Sequence, residues 1–494
     1  MLVRAVDHRP VRRWILALLV LTLFLASAAQ ASVPKAAEAG GAAADTGAAN
    51  ANWPQWRGPL ASGLAPLADP PTTWAEDKNV RWKVKLPGQG TSTPIVWGDA
   101  IFIQTAVPAA ATAAGEKAVT VHAQPAPPPG EGRPGGPGGR RGRGSGGPGG
   151  GGMRVVEPTG PYKFTLLCLD RNSGKTRWEK VAREEKPHEG HHRDHGFASS
   201  SPITDGKLVF AYFGSRGLHC YDTAGNHKWS KDLGQMSTRN SFGEGSSPAL
   251  HGDTIVVNWD HEGDDFIVAF DKNTGDERWR QPRDESQSWS TPLIVDHDGG
   301  AQVITSATRR VRSYDLKTGK QIWEAPGLTP NTIPSPVAGN GVVYAAAGFN
   351  GNVLHAIRLG KTGDLTDTDA MLWTTKRGTP YVSSPLLYGD RLYMFSSNNA
   401  LLSCLDAKTG KPIVETERID DLEGVYASPV GAAGRVYLVG RNGTTVVIKH
   451  LDKTDKVEVL ATNVLSERID ASPALAGKDL FLRGREHLYC IAGE

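Results

Sequence analysis

Cysteine is nearly missing from this 494-residue chain: Cys168, Cys220, Cys404 and Cys490 are all it has. None belongs to a Cys-x-x-Cys-His segment, which excludes covalent haem attachment of that kind. There is no Gly-x-Ser-x-Gly elbow and no Walker loop, so the hydrolase and phosphate-loop chemistries with local signatures leave no mark. Surplus charge is lacking too. The formal net charge of +3 equals what Arg4, Arg9, Arg12, Arg13 and Asp7 contribute; the remainder is near neutral, and bulk charge draws it to neither nucleic acid nor an anionic membrane. The apolar run Trp14 to Leu25 is too short to span a bilayer. With arginines before it and Ala29-Gln30-Ala31 after it, the run reads as a cleavable export signal over residues 1–31, cut after Ala31. No Cys stands near that exit to take a lipid anchor, and the mature chain is expected to have no transmembrane helix. Residues 32–51 read as an Ala/Gly linker.

What is present is repetition. Ser-Pro or Thr-Pro recurs at Pro94, Pro202, Pro248, Pro292, Pro336, Pro385, Pro429 and Pro473, and after the first interval of 108 the spacings are 46, 44, 44, 49, 44 and 44. Each copy opens a short apolar strand, and four strands fit in 44 residues. The expected fold is all-β, an eight-bladed β-propeller of four-stranded blades over residues 52–494. Repeat eight runs out at Cys490-Ile491-Ala492-Gly493-Glu494, whereas Asn79 to Val84 is an orphan strand carrying Trp82. The two ends are expected to pair and close the ring.

The most specific element is Asp-x-x-x-Gly-x-x-x-Trp, seen as Asp170/Gly174/Trp178, Asp271/Gly275/Trp279 and Asp315/Gly319/Trp323, and one residue shorter as Asp222/Gly225/Trp229. The Asp can cap a turn and the Gly can take positive φ. In later repeats Val414 and Leu460 fill the Trp place, and a longer turn precedes Trp373. This grammar resembles the pyrroloquinoline-quinone-like repeat of quinoprotein dehydrogenases and of the assembly lipoprotein BamB. The opening Asn52-Trp53-Pro54-Gln55-Trp56-Arg57-Gly58-Pro59 and the ending from Leu482 to Ile491 are similar to a bacterial family of exported propellers with no assigned reaction. The resemblance implies a fold and a compartment, the periplasm or the secreted space. Quinoprotein dehydrogenases also carry an adjacent Cys-Cys pair, which this chain lacks. No cofactor is therefore expected, with pyrroloquinoline quinone (PQQ) and Ca²⁺ as the alternative.

The four cysteines fall at equivalent places on third strands, too far apart on neighbouring blades for disulfides, and read as small buried hydrophobes. The first interval hides an insertion, residues 106–160, between the second and third strands of blade one. Its Pro/Gly/Arg tract cannot build a core; it reads as a solvated spacer or a tether for anionic envelope polymer.

Ligands of propellers collect where loops lead into the first strands. There His188, His191, His192 and His195 form a His-rich turn, of which His188, His191 and His195 are metal candidates; the other reading is a plain exposed turn. Asp260 to Asp265 lacks the spacing of a calcium loop. Residues that do not recur from blade to blade are the candidate binding set: Arg239, Asn240, Trp259, Asp260, His261, Trp289, Asn331, Tyr381 and Tyr426. The reading is a monomeric exported scaffold that binds a protein or envelope polymer through this mouth, without a catalytic residue assigned. Its rivals are a quinone- or metal-dependent oxidoreductase and a polysaccharide-binding protein.

Overall fold

Ser/Thr-Pro, met as a strand opener, turns out to be a belt. In the computed structural model, which describes residues 46–109, 118–120 and 154–493, each hydroxyl from Ser201 to Ser472 accepts the backbone N–H of its counterpart one blade earlier. Thr93 N donates to Ser201 Oγ (2.9 Å), Ser201 to Ser247 (2.9 Å), Ser247 to Thr291 (3.0 Å) and Thr291 to Ser335 (3.1 Å). Ser335 donates to Ser384 (2.9 Å), Ser384 to Ser428 (2.8 Å) and Ser428 to Ser472 (2.9 Å). Thr93 Oγ1 then donates to the Ser472 carbonyl at 3.2 Å and completes the circle. Ser or Thr is required because the next residue, Pro, has no N–H, and a side-chain acceptor must satisfy the neighbour's buried donor.

Eight blades of four antiparallel strands surround this belt, and the fourth adds a short fifth strand, Gly363–Asp364, parallel to Gln321–Pro326. Blade one is Ile95–Trp97, Ala100–Pro108, Tyr162–Asp170 and Thr176–Glu185. Blade eight is Ala474–Ala476, Asp479–Arg483 and His487–Ala492, completed by Val80–Lys85, which pairs antiparallel with His487–Ala492. The ring closes through its ends, as the orphan strand predicts.

A second device joins blade to blade. The turn Gly of one blade lies on the outer-strand Trp of the blade before it: a Cβ on Gly174 would stand 2.8 Å from the Trp82 ring, and Gly275 and Gly319 meet Trp229 and Trp279 the same way. The indole N–H then donates to a carbonyl of that turn, Trp82 to Arg171 (2.9 Å), Trp178 to Thr223 (3.1 Å), Trp229 to Lys272 (3.0 Å) and Trp279 to Leu316 (2.8 Å). The Trp also faces a small residue across its own ladder: Cys168 opposes Trp178, Cys220 opposes Trp229, Ala269 opposes Trp279 and Cys490 opposes Trp82. Room for the indole explains where the cysteines stand, and all four are free and buried. In blade seven the residue at the Trp place is Ala461, opposite Val447, not Leu460; a bulge between Val447 and Ile448 moves the count by one.

Part of the insertion in blade one is structured. Ala118–Thr120 and Arg154–Val156 form a small sheet with His191–His192; its Pro/Gly/Arg tract lies outside the described residues, as do the export signal and most of the linker. Among the described residues no helix is long and apolar enough to cross a membrane.

The opening Trp53 to Ala65 is a plug. It enters the channel from the base, the face with the turns between first and second strands. Arg57 is 1% exposed and donates to the carbonyls of Pro429 (2.9 Å) and Pro385 (2.7 Å). Gly58, at φ +79°, has Trp53 packed so closely that a Cβ would stand 2.6 Å from the ring, so no other residue fits there.

Candidate functional site

At the opposite face, the rim, the loops that lead into each belt residue meet the turns between second and third strands. Blade three shows how several of the sequence-picked residues are used. Trp259 ends the strand Thr254–Trp259, is 2% exposed and stacks on Phe266. Asp260 is fully enclosed with Arg283: Nε to Oδ1 is 2.6 Å and Nη2 to Oδ2 is 3.1 Å, and Asn258 (2.9 Å) and Ser288 (2.6 Å) donate to the same carboxylate. Burial is compensated by the bidentate pair. His261 Nδ1 accepts the Ser237 N–H at 3.1 Å, and its own N–H donates to Asp265 Oδ1 at 2.8 Å. Trp259, Asp260 and His261 thus hold the rim together from inside.

Trp289 is also tied in, its indole donating to the Gly243 carbonyl at 2.7 Å. Asn331 is buried, and the half-buried Tyr381 ring stacks on Phe349 with centroids 4.9 Å apart. Tyr426 lies under the Arg441 guanidinium at 3.6 Å, and burial pushes its hydroxyl up to about 12. Arg239 and Asn240 are the exposed members of the set. They sit in the short turn Arg239–Ser241, with Asn240 at φ 53°, and the Arg239 N–H donates to Gln287 Oε1 at 2.6 Å. No carboxylate pairs with the Arg239 guanidinium among the described residues.

The histidines of the His-rich turn diverge. His188 Nε2 bonds the Met236 carbonyl (2.7 Å), His191 Nδ1 the His192 carbonyl (2.8 Å) and His195 Nδ1 the Gly196 carbonyl (3.0 Å). Burial lowers the His195 imidazole to about 4. Among the described residues, no three His, Cys, Asp or Glu side chains gather as a metal site would require.

Sequence reasoning missed the charged strut beside Tyr426. Asp194, from the His-rich turn, meets Arg468 (2.7 Å) and Arg441 (2.9 Å), and Asp470 meets the same two arginines at 2.9 and 2.7 Å. Arg485 stands 3.9 Å from Asp470. The strut joins the loop after blade one to blades seven and eight across the closure. Arg468 and Asp470 were visible in the loop before Pro473, but nothing local in the sequence pairs them with Asp194.

These residues do not fit a quinone. The thiols lie on four separate blades, each pushed by burial up to about 12, and Asp260 is saturated by its own partners. A cavity between Phe213, Arg216 and Glu244 at this face is about 20 Å³, the size of one water. A cavity of about 720 Å³ opens at the base between the plug and blades two to five.

Among solved structures, BamB from Moraxella catarrhalis is 14% identical, with 68% of this chain and 93% of that one covered and a TM-score of 0.47. The computationally designed Ika8 protein is 12% identical (69% and 93% covered, TM-score 0.47) and a europium-containing methanol dehydrogenase 12% (89% and 90%, TM-score 0.43). No curated protein matches the chain. The family model described as "Outer membrane protein assembly factor BamB" matches residues 162–413 and 264–492. With these matches running from blade one to blade eight, the chain belongs to that family of quinone-repeat-like propellers.

Proposed function

We propose that the chain is an exported binding scaffold of the cell envelope that holds a protein partner against its rim at Arg239, Asn240, Tyr381 and Tyr426. The observation that carries this reading is Arg239, an exposed guanidinium beside a turn in which Asn240 and Ser241 take positive φ, with no carboxylate of its own among the described residues. A partner carboxylate can take it bidentately, while the Phe349–Tyr381 stack supplies an adjacent aromatic surface. The family's description points the same way, toward assembly with other proteins rather than catalysis. Export rests on the signal pattern of residues 1–31.

Crosslinking in the native envelope with photoreactive groups at Asn240 tests it. The expected outcome is one dominant protein adduct, lost on Arg239→Ala/Tyr381→Ala with the melting temperature nearly unchanged. An adduct that survives the double replacement overturns the rim reading; capture of polysaccharide alone, or quinone-dependent alcohol oxidation after adding PQQ and Ca²⁺, overturns the protein-scaffold reading. Amino-terminal sequencing of the envelope form is expected to begin at Ser32.

A further inference from the structure

The plug fills one side of the channel and leaves the other open. Within each blade's sheet the first strand pairs only with the second, so its channel-side edge can take a segment from outside the sheet. The plug uses that edge in four blades. Trp53 and Val96 of blade one exchange main-chain bonds of 3.0 and 2.8 Å, and the Pro54 carbonyl accepts from Thr204 of blade two at 2.9 Å. The Ser62 carbonyl accepts from Leu387 of blade six at 3.3 Å, while in blade seven Gly431 accepts from Ala65 and donates to Gly63, both at 2.9 Å. Among the described residues no main-chain bond joins the plug to blades three, four or five. Blade five is touched through a side chain, Trp56 Nε1 on Ser335 Oγ at 3.1 Å.

The 720 Å³ cavity opens beside those unused edges. Blade four offers the longest first strand of the eight, Leu293–His297. Leu250, Leu293 and Trp56 give the cavity apolar walls. Its charge is lopsided. Lys272 is paired with Asp205 at 2.8 Å, but Lys207 has no carboxylate partner among the described residues. Arg57, in the cavity wall, is held by carbonyls alone and its Nε has no partner. Burial without a counter-ion brings Arg57 down to about 9.

We propose that this cavity is a second binding site, for a short extended peptide of roughly four residues that pairs its main chain with Leu293–His297 and turns a carboxylate toward Lys207 and Arg57. The plug is the template: the same strand edges that hold it in blades one and seven hold the guest in blade four. The site is independent of the rim.

The test uses the tetrapeptide acetyl-Val-Thr-Val-Asp and the whole mature protein. Calorimetry gives the affinity, and hydrogen–deuterium exchange across residues 291–299 gives the place. Slowed exchange at Leu293–His297 is expected. N-methylating alternate peptide nitrogens, which removes donors without removing side chains, should weaken binding at least about tenfold. Lys207→Glu, a change at an exposed position on the edge of the cavity, should weaken it about fivefold. No binding at millimolar peptide, equal binding by the N-methylated form, or slowed exchange at the rim loops instead of Leu293–His297 overturns the proposal.

Discussion

Asp265 and His195 pull stability in opposite directions over the same pH range. Burial raises the Asp265 carboxyl to about 7, with the nearby Asp260 charge adding to it. Folded protein therefore keeps this proton up to neutrality, whereas the unfolded chain loses it near the ordinary carboxylate value, so the group's stability is full below about pH 4 and is lost as pH rises toward 7. Asp265→Asn keeps an acceptor for the His261 N–H and removes the titration. It is expected to stabilise the protein by about 1–2 kcal/mol at pH 8, after allowance for screening, and by nothing measurable at pH 4. His195, lowered to about 4, stays neutral in the fold while the unfolded imidazole protonates near 6.5; its stability is lost as pH falls from 6.5 to 4. His195→Asn should flatten that acid limb in denaturation curves taken at stepped pH. A third residue-scale expectation concerns the enclosed pair: Asp260→Ala strands the Arg283 charge and should cost about 3–5 kcal/mol by urea unfolding, while the double change Asp260→Ala/Arg283→Met recovers part of it. Asp260 also shows why the site was only partly legible. Failure to recur does separate it from the repeat, but its partner Arg283 is in the next loop, and an enclosed ion pair and an open ligand contact look alike in one dimension. Arg239 and Asn240, selected by the same criterion, are the ones left facing solvent.

At the scale of the element, the recurrent letters had two meanings and the sequence displayed one. Ser-Pro announces a strand; its hydroxyl also serves the blade before it. Gly275 takes φ +76°, which its turn demands, and its missing side chain also receives Trp229. Both second meanings are contacts between blades, which a period of 44 implies without naming. Gly275→Ala combines positive-φ strain with a Cβ 2.7 Å from the Trp229 ring and is expected to cost more than about 2 kcal/mol. Ser201→Ala, by contrast, leaves only the Thr93 N–H unsatisfied and should cost about 1–3 kcal/mol. Thermal unfolding that ranks the two the other way would show that the belt, not the Trp–Gly contact, dominates the blade interface.

For the whole molecule, two truncations separate the plug from the closure. Removing residues 1–65 takes out the plug but keeps Trp74, whose N–H donates to Asn463 Oδ1 at 2.7 Å, and Val80–Lys85 in blade eight; a monomer with a lowered melting temperature is expected. Removing residues 1–86 takes the outer strand as well and exposes the edge of His487–Ala492, and aggregation seen by light scattering is expected. If the longer truncation stays monomeric and melts like the shorter one, the outer strand is dispensable.

The closing strand also sets the timing of folding. Arg81 touches Cys490 from 409 positions away, so the part of the ring made almost first waits for the part made last. Seven blades can form as the chain emerges, yet blade eight, the Trp82 contact with blade one and the Thr93–Ser472 bond must all await the final strand. Until then the molecule is an open arc with two unpaired ends, and it becomes a ring only when His487–Ala492 meets Val80–Lys85.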